Sequence, residues 1–171
     1  MLLTVLHLAL AGPPSAPCPA AGAPLSAAQL DAATAVITRL YAPYLQPDAP
    51  TPALNASAPW TSALRNHWDH ALAGSPDEQG PPGFDPYIDG QDYRLTDLRL
   101  TARASACLGA DVDAAFENFG TPTLIHYTLI LSNGDWRVDD VFTDRWRLSV
   151  LLGAWGAVAA PLTGAPPPAR P

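Results

Sequence analysis

Lysine is missing from this 171-residue chain, and its nine basic residues are all arginine. Against sixteen Asp and Glu they leave a formal net charge of −7. That balance argues against nucleic acid and against anionic membrane surfaces as partners. Cysteine is nearly missing too, with only Cys18 and Cys107 present. Two thiols without neighbouring histidines argue against a metal site. In an oxidising compartment the two can form a disulfide, but sequence does not supply the geometry that decides it. Motifs of the G-x-S-x-G, phosphate-cradling Gly loop, H-E-x-x-H and C-x-x-C kinds are absent. No nucleophile, nucleotide site or metal cofactor is therefore indicated.

Long apolar runs are lacking as well. Residues 1–11, M-L-L-T-V-L-H-L-A-L-A, are too few to cross a bilayer. They end in Ala9-Leu10-Ala11 before Gly12, which resembles the cleavage site of a secretory signal peptide. Export, to a bacterial periplasm, is the expectation. Residues 12–24 read as a flexible Pro/Ala/Gly leader, 25–156 as one domain and 157–171 as a Pro-rich disordered tail. At 48% hydrophobic residues the chain can build a real core.

The strongest local signal present is a β-hairpin over residues 123–142. Two runs of β-branched and aromatic residues flank Asn133-Gly134, a pair suited to a turn with two positive φ angles. A two-residue turn there pairs Leu131 with Trp136, Leu129 with Val138, Tyr127 with Asp140 and Ile125 with Phe142. Alternation puts these eight on one face, where Asp140 is the single charge among apolar neighbours. Asp139 then falls on the wetter face with Arg137 and His126. A carboxylate in an apolar layer needs hydrogen bonds, and the Tyr127 hydroxyl is the nearest candidate. Asp140 and Tyr127 are thus candidates for a pocket acid/base pair. The bland alternative makes Asp140 a structural tie between the sheet and a loop or helix end.

Elsewhere, Ser26-Ala27-Ala28-Gln29 is a capping box opening a helix that weakens near Pro43. Trp60, Leu64, Trp68 and Leu72 mark a second helix ended by Gly74, with His67, Asp69 and His70 on its solvated side. Residues 95–106 and 111–119 read as strands joined by a turn at 108–110. A turn at Gly120-Thr121-Pro122 leads into the hairpin, and Trp146, Leu148, Leu151, Leu152 and Trp155 suggest a closing helix. The expected fold is α+β: two N-terminal helices on a strongly bent four-stranded antiparallel meander, with a short C-terminal helix and a conical cavity at one end. Between helices and strands lies F-D-P-Y-I-D-G-Q-D, residues 84–92. Tyr87 and Thr96 break its partial likeness to a calcium loop. Phe84, Tyr87 and Ile88 can anchor it to the core, and Asp85 and Asp92 can cap turns or pair with Arg94 or Arg137.

The Asp85-Pro86 and Gln91-Asp92 pairs, together with G-D-W-R-V-D-D-V at 134–141, resemble the bacterial family of domain of unknown function 3828. The resemblance spans roughly residues 25 to 152, most of the ordered chain. It implies a nuclear transport factor 2-like cone and an exported protein, without an established activity. The positions it carries over are Asp85, Gln91, Asp92, Trp136, Arg137, Asp139 and Asp140. The sequence favours a non-enzymatic binding module of the cell envelope, meeting a small molecule or an envelope protein. The alternative is a proton-transfer enzyme, an isomerase or hydrolase-like catalyst, working through Asp140 and Tyr127.

Overall fold

The computed structural model describes residues 24–46, 49–50, 53–56, 58–74, 80–105 and 109–159, with side chains as far as Ala154. The apolar leader, Cys18, Cys107, the side chain of Trp155 and the segment past Ala159 lie outside them.

The described chain is α+β, with three helices and one four-stranded antiparallel sheet. Helix α1 (Ala27–Tyr41) opens on the Ser26/Gln29 capping box and ends before Pro43, where a short 3-10 turn (Pro43–Leu45) follows. Helix α2 (Ser62–Ala73) is capped by Thr61 and closed by Gly74. The strands β1 (Leu95–Ala104), β2 (Gly109–Asn118), β3 (Thr121–Ser132) and β4 (Asp135–Phe142) lie side by side in chain order. Helix α3 (Leu148–Ala159) closes the fold. No helix among the described residues is long and apolar enough to cross a membrane.

The inner face of the sheet carries Val112, Ala114 and Phe116 from β2, Ile125, Tyr127 and Leu129 from β3, and Trp136, Val138 and Val141 from β4, all buried. Helix α1 lies across that face and turns Ala33, Val36, Ile37, Leu40 and Tyr41 toward it, the i, i+3, i+4 spacing that makes one helical stripe. Helices α2 and α3 pack together, burying Leu64, Trp68 and Ala71 with Leu148 and Leu152. Leu72, read from the sequence as part of the apolar stripe, is 40% exposed and Ala71 is buried beside it. Trp60 precedes the helix: its segment pairs with β4, where Thr61 N–H donates to the Val138 carbonyl and Val138 N–H to that of Pro59.

Three details of the sheet depart from the sequence reading. Gly109 and Ala110 belong to β2, not to a turn. The β2–β3 turn is Phe119-Gly120, both at positive φ, so Thr121 and Pro122 already lie in β3. Pro122 is tolerated there because β4 ends at Phe142, opposite His126, and leaves the start of β3 with one free edge. The third departure matters most. The Asn133-Gly134 turn forms as expected, with φ of 53° and 85°, and the first pairs match: Leu131 with Trp136, Leu129 with Val138. Asp139 is then an extra residue, a β-bulge, and the ladder resumes with Thr128 opposite Asp140, Tyr127 opposite Val141 and His126 opposite Phe142. One inserted residue reverses which side each later side chain faces. Val141 takes the inward place assigned to Asp140, and Asp140 goes to the outer face.

Candidate functional site

The bulge separates the two residues read as a pocket pair. On the outer face Asp140 is 6% exposed because the chain after β4 folds back over it. Its Oδ1 accepts from the N–H groups of Val141 (2.9 Å) and Ser149 (3.1 Å). Its Oδ2 accepts from the Ser149 hydroxyl (2.7 Å) and the Arg147 guanidinium (2.8 Å). Ser149 is the second residue of α3, so Asp140 caps that helix from a distance, placing negative charge at the positive end of its dipole. This is the structural tie between sheet and helix end.

Tyr127 is 1% exposed on the inner face and meets a different partner. Its hydroxyl lies 2.9 Å from that of Tyr41, which donates to the Tyr87 carbonyl at 2.8 Å. The chain of protons therefore runs Tyr127 to Tyr41 to the Tyr87 backbone. Burial pushes both the Tyr41 and Tyr127 hydroxyls far above the ordinary tyrosine range, so neither ionises at physiological pH. Around them Tyr41 packs edge-on to Tyr127 and tilted against Phe116, and Trp60 stacks on Tyr87.

The segment 84–92 packs into the core between α1, Trp60 and the sheet. Asp85 and Gly90 close it with a pair of backbone hydrogen bonds, and Tyr87 and Ile88 enter the core at 0% and 1% exposure. Asp85 holds the closure: it accepts from the Tyr44 hydroxyl at 2.5 Å and the Tyr87 N–H at 2.9 Å. Burial raises the Asp85 pKa above the usual carboxyl value, against the lowering pull of those two hydrogen bonds. The expected pairings of Asp85 or Asp92 with Arg94 or Arg137 do not form. Arg137 meets Asp135 at 3.3 Å in an exposed contact. Gln91 donates to the Gly83 carbonyl, and Asp92 contributes its backbone carbonyl to Asn118. Trp136 is buried at the far end of the hairpin, its indole N–H without a partner among the described residues. The motif residues are therefore spread over both ends of the fold and form no common site. His67, Asp69 and His70 are exposed along α2, and no group of three or more metal-ligating side chains occurs among the described residues.

What the sequence did not bring together is on the outer face. Asp113 on β2 stands opposite His126 on β3, and its Oδ1 lies 2.7 Å from His126 Nδ1. Arg103 from β1 meets the other Asp113 oxygen at 2.6 Å. Burial pushes the Asp113 carboxyl up, but hydrogen bonds from His126 and Arg103 and the charge of Arg103 outweigh it and hold the pKa below the usual value. Phe142 stacks on the His126 ring, and the Arg147 guanidinium lies 4.1 Å from the Phe142 ring centre. The imidazole is thus fixed in tilt by Phe142 and in rotation by Asp113, the arrangement that orients a histidine.

His126 borders a cleft of about 580 Å³ between the Phe119-Gly120 turn, the Asp89 turn and the loop at 143–145. Asp89 anchors that loop, accepting from Arg145 and, at 2.7 Å, from the Trp146 indole. Phe119 and Leu124 line the cleft at 52% and 46% exposure. Only the register could have announced the Asp113–His126 pair, since thirteen residues separate the two. No family model, no curated protein and no solved structure matches this chain.

Proposed function

We propose that this chain is a non-enzymatic binding module that meets its ligand on the outside of the sheet, at the cleft beside His126. The observation that carries the reading is the occupied interior. Tyr87 and Ile88 are buried in the core, the Tyr127 hydroxyl is engaged by Tyr41, and Asp140 is engaged by α3. An acid/base mechanism through Asp140 and Tyr127 has no shared space in which to act. The α+β architecture, the apolar leader and the two motifs support placing the module among exported nuclear transport factor 2-like domains, in the family of domain of unknown function 3828. The acidic balance of the chain fits an envelope setting without nucleic acid.

The test is an NMR titration of isotopically labelled protein with a library of small polar and aromatic fragments. Saturable shifts should concentrate on Asn118, Thr123, Leu124 and His126. Shifts centred on Tyr41, Tyr87 and Tyr127 would mean that the interior opens to ligands, and would overturn the reading.

A further inference from the structure

We infer that the cleft is a saccharide site and that Phe119 is its stacking platform. The inference rests on the binding-module reading and names the ligand class of the same cleft. It starts from an inconsistency between two turns. Asn133-Gly134 and Phe119-Gly120 both connect neighbouring strands with two residues, at φ of 53° and 85° in one and 51° and 76° in the other. The first uses the residues this geometry favours. The second puts a bulky aromatic side chain into the left-handed region, which is unfavourable for any residue with a Cβ and rare for one this large. Burial does not compensate, since Phe119 keeps 52% of its surface exposed. Strained residues of this sort gather where a ligand is held.

The turn is braced as a platform should be. The Phe119 N–H donates to the Arg94 carbonyl, and Asn118 accepts from the Arg94 N–H while donating to the Asp92 carbonyl. The Arg94 guanidinium lies 5.2 Å from the Phe119 ring centre, supporting one side of it. The backbone beneath the ring is therefore tied at both sides, and the ring itself stays half exposed at the cleft.

The rest of the lining selects the ligand. Two carboxylates, Asp89 and Asp144, accompany one guanidinium, Arg145, so a phosphate or other anion finds no net attraction. Thr121, Thr123 and Thr143 line the cleft; the Thr123 hydroxyl donates to the Thr121 carbonyl and so faces a ligand as an acceptor, while the Thr143 hydroxyl accepts from the Arg145 N–H and keeps its proton to donate. Across from the turn, His126 borders the cleft with its Nδ1 held by Asp113, so the ring is set in one orientation beside the ligand space. An apolar ring face beside groups of both hydrogen-bonding senses fits a ring with an apolar face and a rim of hydroxyls. That is a neutral sugar, and the volume lies inside the ~300–1,000 Å³ span of small-molecule sites.

The experiment titrates the full chain with cellobiose and with the chitin disaccharide, read by NMR, on wild type and on Phe119→Asn. At least one disaccharide should give saturable shifts at Asn118, Thr123 and His126 with a dissociation constant of about 1 mM. Phe119→Asn should weaken that binding about tenfold or more, while its melting temperature equals or exceeds that of wild type because asparagine suits the turn. Binding by Phe119→Asn as tight as wild type, or a lower melting temperature for it, overturns the platform. If the fragments above shift these residues and neither disaccharide does, the saccharide class fails and the binding module stands. If neither set shifts them, both fail.

Discussion

Asp140→Asn is the substitution that separates a structural carboxylate from a catalytic one. In the folded protein Asp140 accepts four hydrogen bonds, two from backbone N–H groups, one from the Ser149 hydroxyl and one from Arg147. Asparagine keeps the shape and one acceptor oxygen, so the N–H groups of Val141 and Ser149 retain a partner. What is lost is the charge that faces Arg147 and the α3 terminus. A hydrogen bond to a charged group is worth about 1.5–3 kcal/mol net, and an ion at a helix end about 0.3–1 kcal/mol. Arg147 is 45% exposed, so its share is reduced by solvent. Together these give a loss of about 2 kcal/mol for Asp140→Asn. Asp140→Ala also strands the Ser149 hydroxyl and N–H and should lose about 3–4 kcal/mol. Arg147→Met should lose only about 1 kcal/mol. Urea unfolding measures all three. The order Ala worse than Asn worse than Arg147→Met is the signature of a carboxylate that caps a helix. A loss below about 0.5 kcal/mol for Asp140→Asn would refute the capping argument and reopen a functional role for the charge.

Two further substitutions report on the interior. Tyr127→Phe removes one donor from the Tyr127–Tyr41–Tyr87 chain without emptying space, and should cost about 1 kcal/mol by urea unfolding; a loss above about 3 kcal/mol would mean the hydroxyl has a second task. Asp85 binds a proton more readily folded than unfolded, because burial raises its pKa. Its contribution to stability therefore improves as pH falls through the folded value toward the ordinary 3.8. Asp113 behaves oppositely: its pKa is depressed, so the stability it adds above 3.8 is lost as pH falls below that value. Asp85→Asn should flatten the stability profile above pH 3.8, and Asp113→Asn below it, in unfolding curves collected across the acid range. Profiles altered in the reverse windows would refute the assignment.

The hairpin was legible because its turn residues and apolar alternation agree, and its first pairs follow directly. What alternation could not carry was the inserted residue. Yet the bulge has a trace in the sequence. In Val138-Asp139-Asp140-Val141 the two valines stand three apart, where strict alternation wants two or four, and both are buried. In β1 the same spacing occurs in Leu95-Thr96-Asp97-Leu98, and there too the register shifts by one, with Asp97 at a φ of 56°. An apolar residue, two polar ones including Asp, and a second apolar residue is how this chain writes an extra residue into a strand. The cleft was not legible for a different reason. Its walls come from three turns and a strand end, and their approach depends on the Asp89 contacts to Arg145 and Trp146, more than fifty positions away.

The same bulge explains why the polar chemistry of this fold lies outside. Were Asp139 a paired residue of the ladder, Asp140 would enter a layer made of tyrosine, tryptophan and aliphatic side chains. There its charge would have to be neutralised or hydrogen-bonded at the expense of the tyrosine chain. With the bulge, Val141 closes the apolar layer and Asp140 meets α3. Phe142 then falls on the outer face, where it stacks on His126 and supports Arg147. One residue thus links the seating of the C-terminal helix to the orientation of the histidine at the cleft. Deleting Asp139 should consequently remove only the extra residue: Asp140 stays opposite Thr128, Val141 opposite Tyr127 and Phe142 opposite His126, so the α3 cap and the His126 stack are both kept. A deletion variant whose His126 side-chain resonances shift to those of an unstacked imidazole, or in which Asp140→Asn no longer costs stability, would show that Asp139 is not the extra residue and break that link.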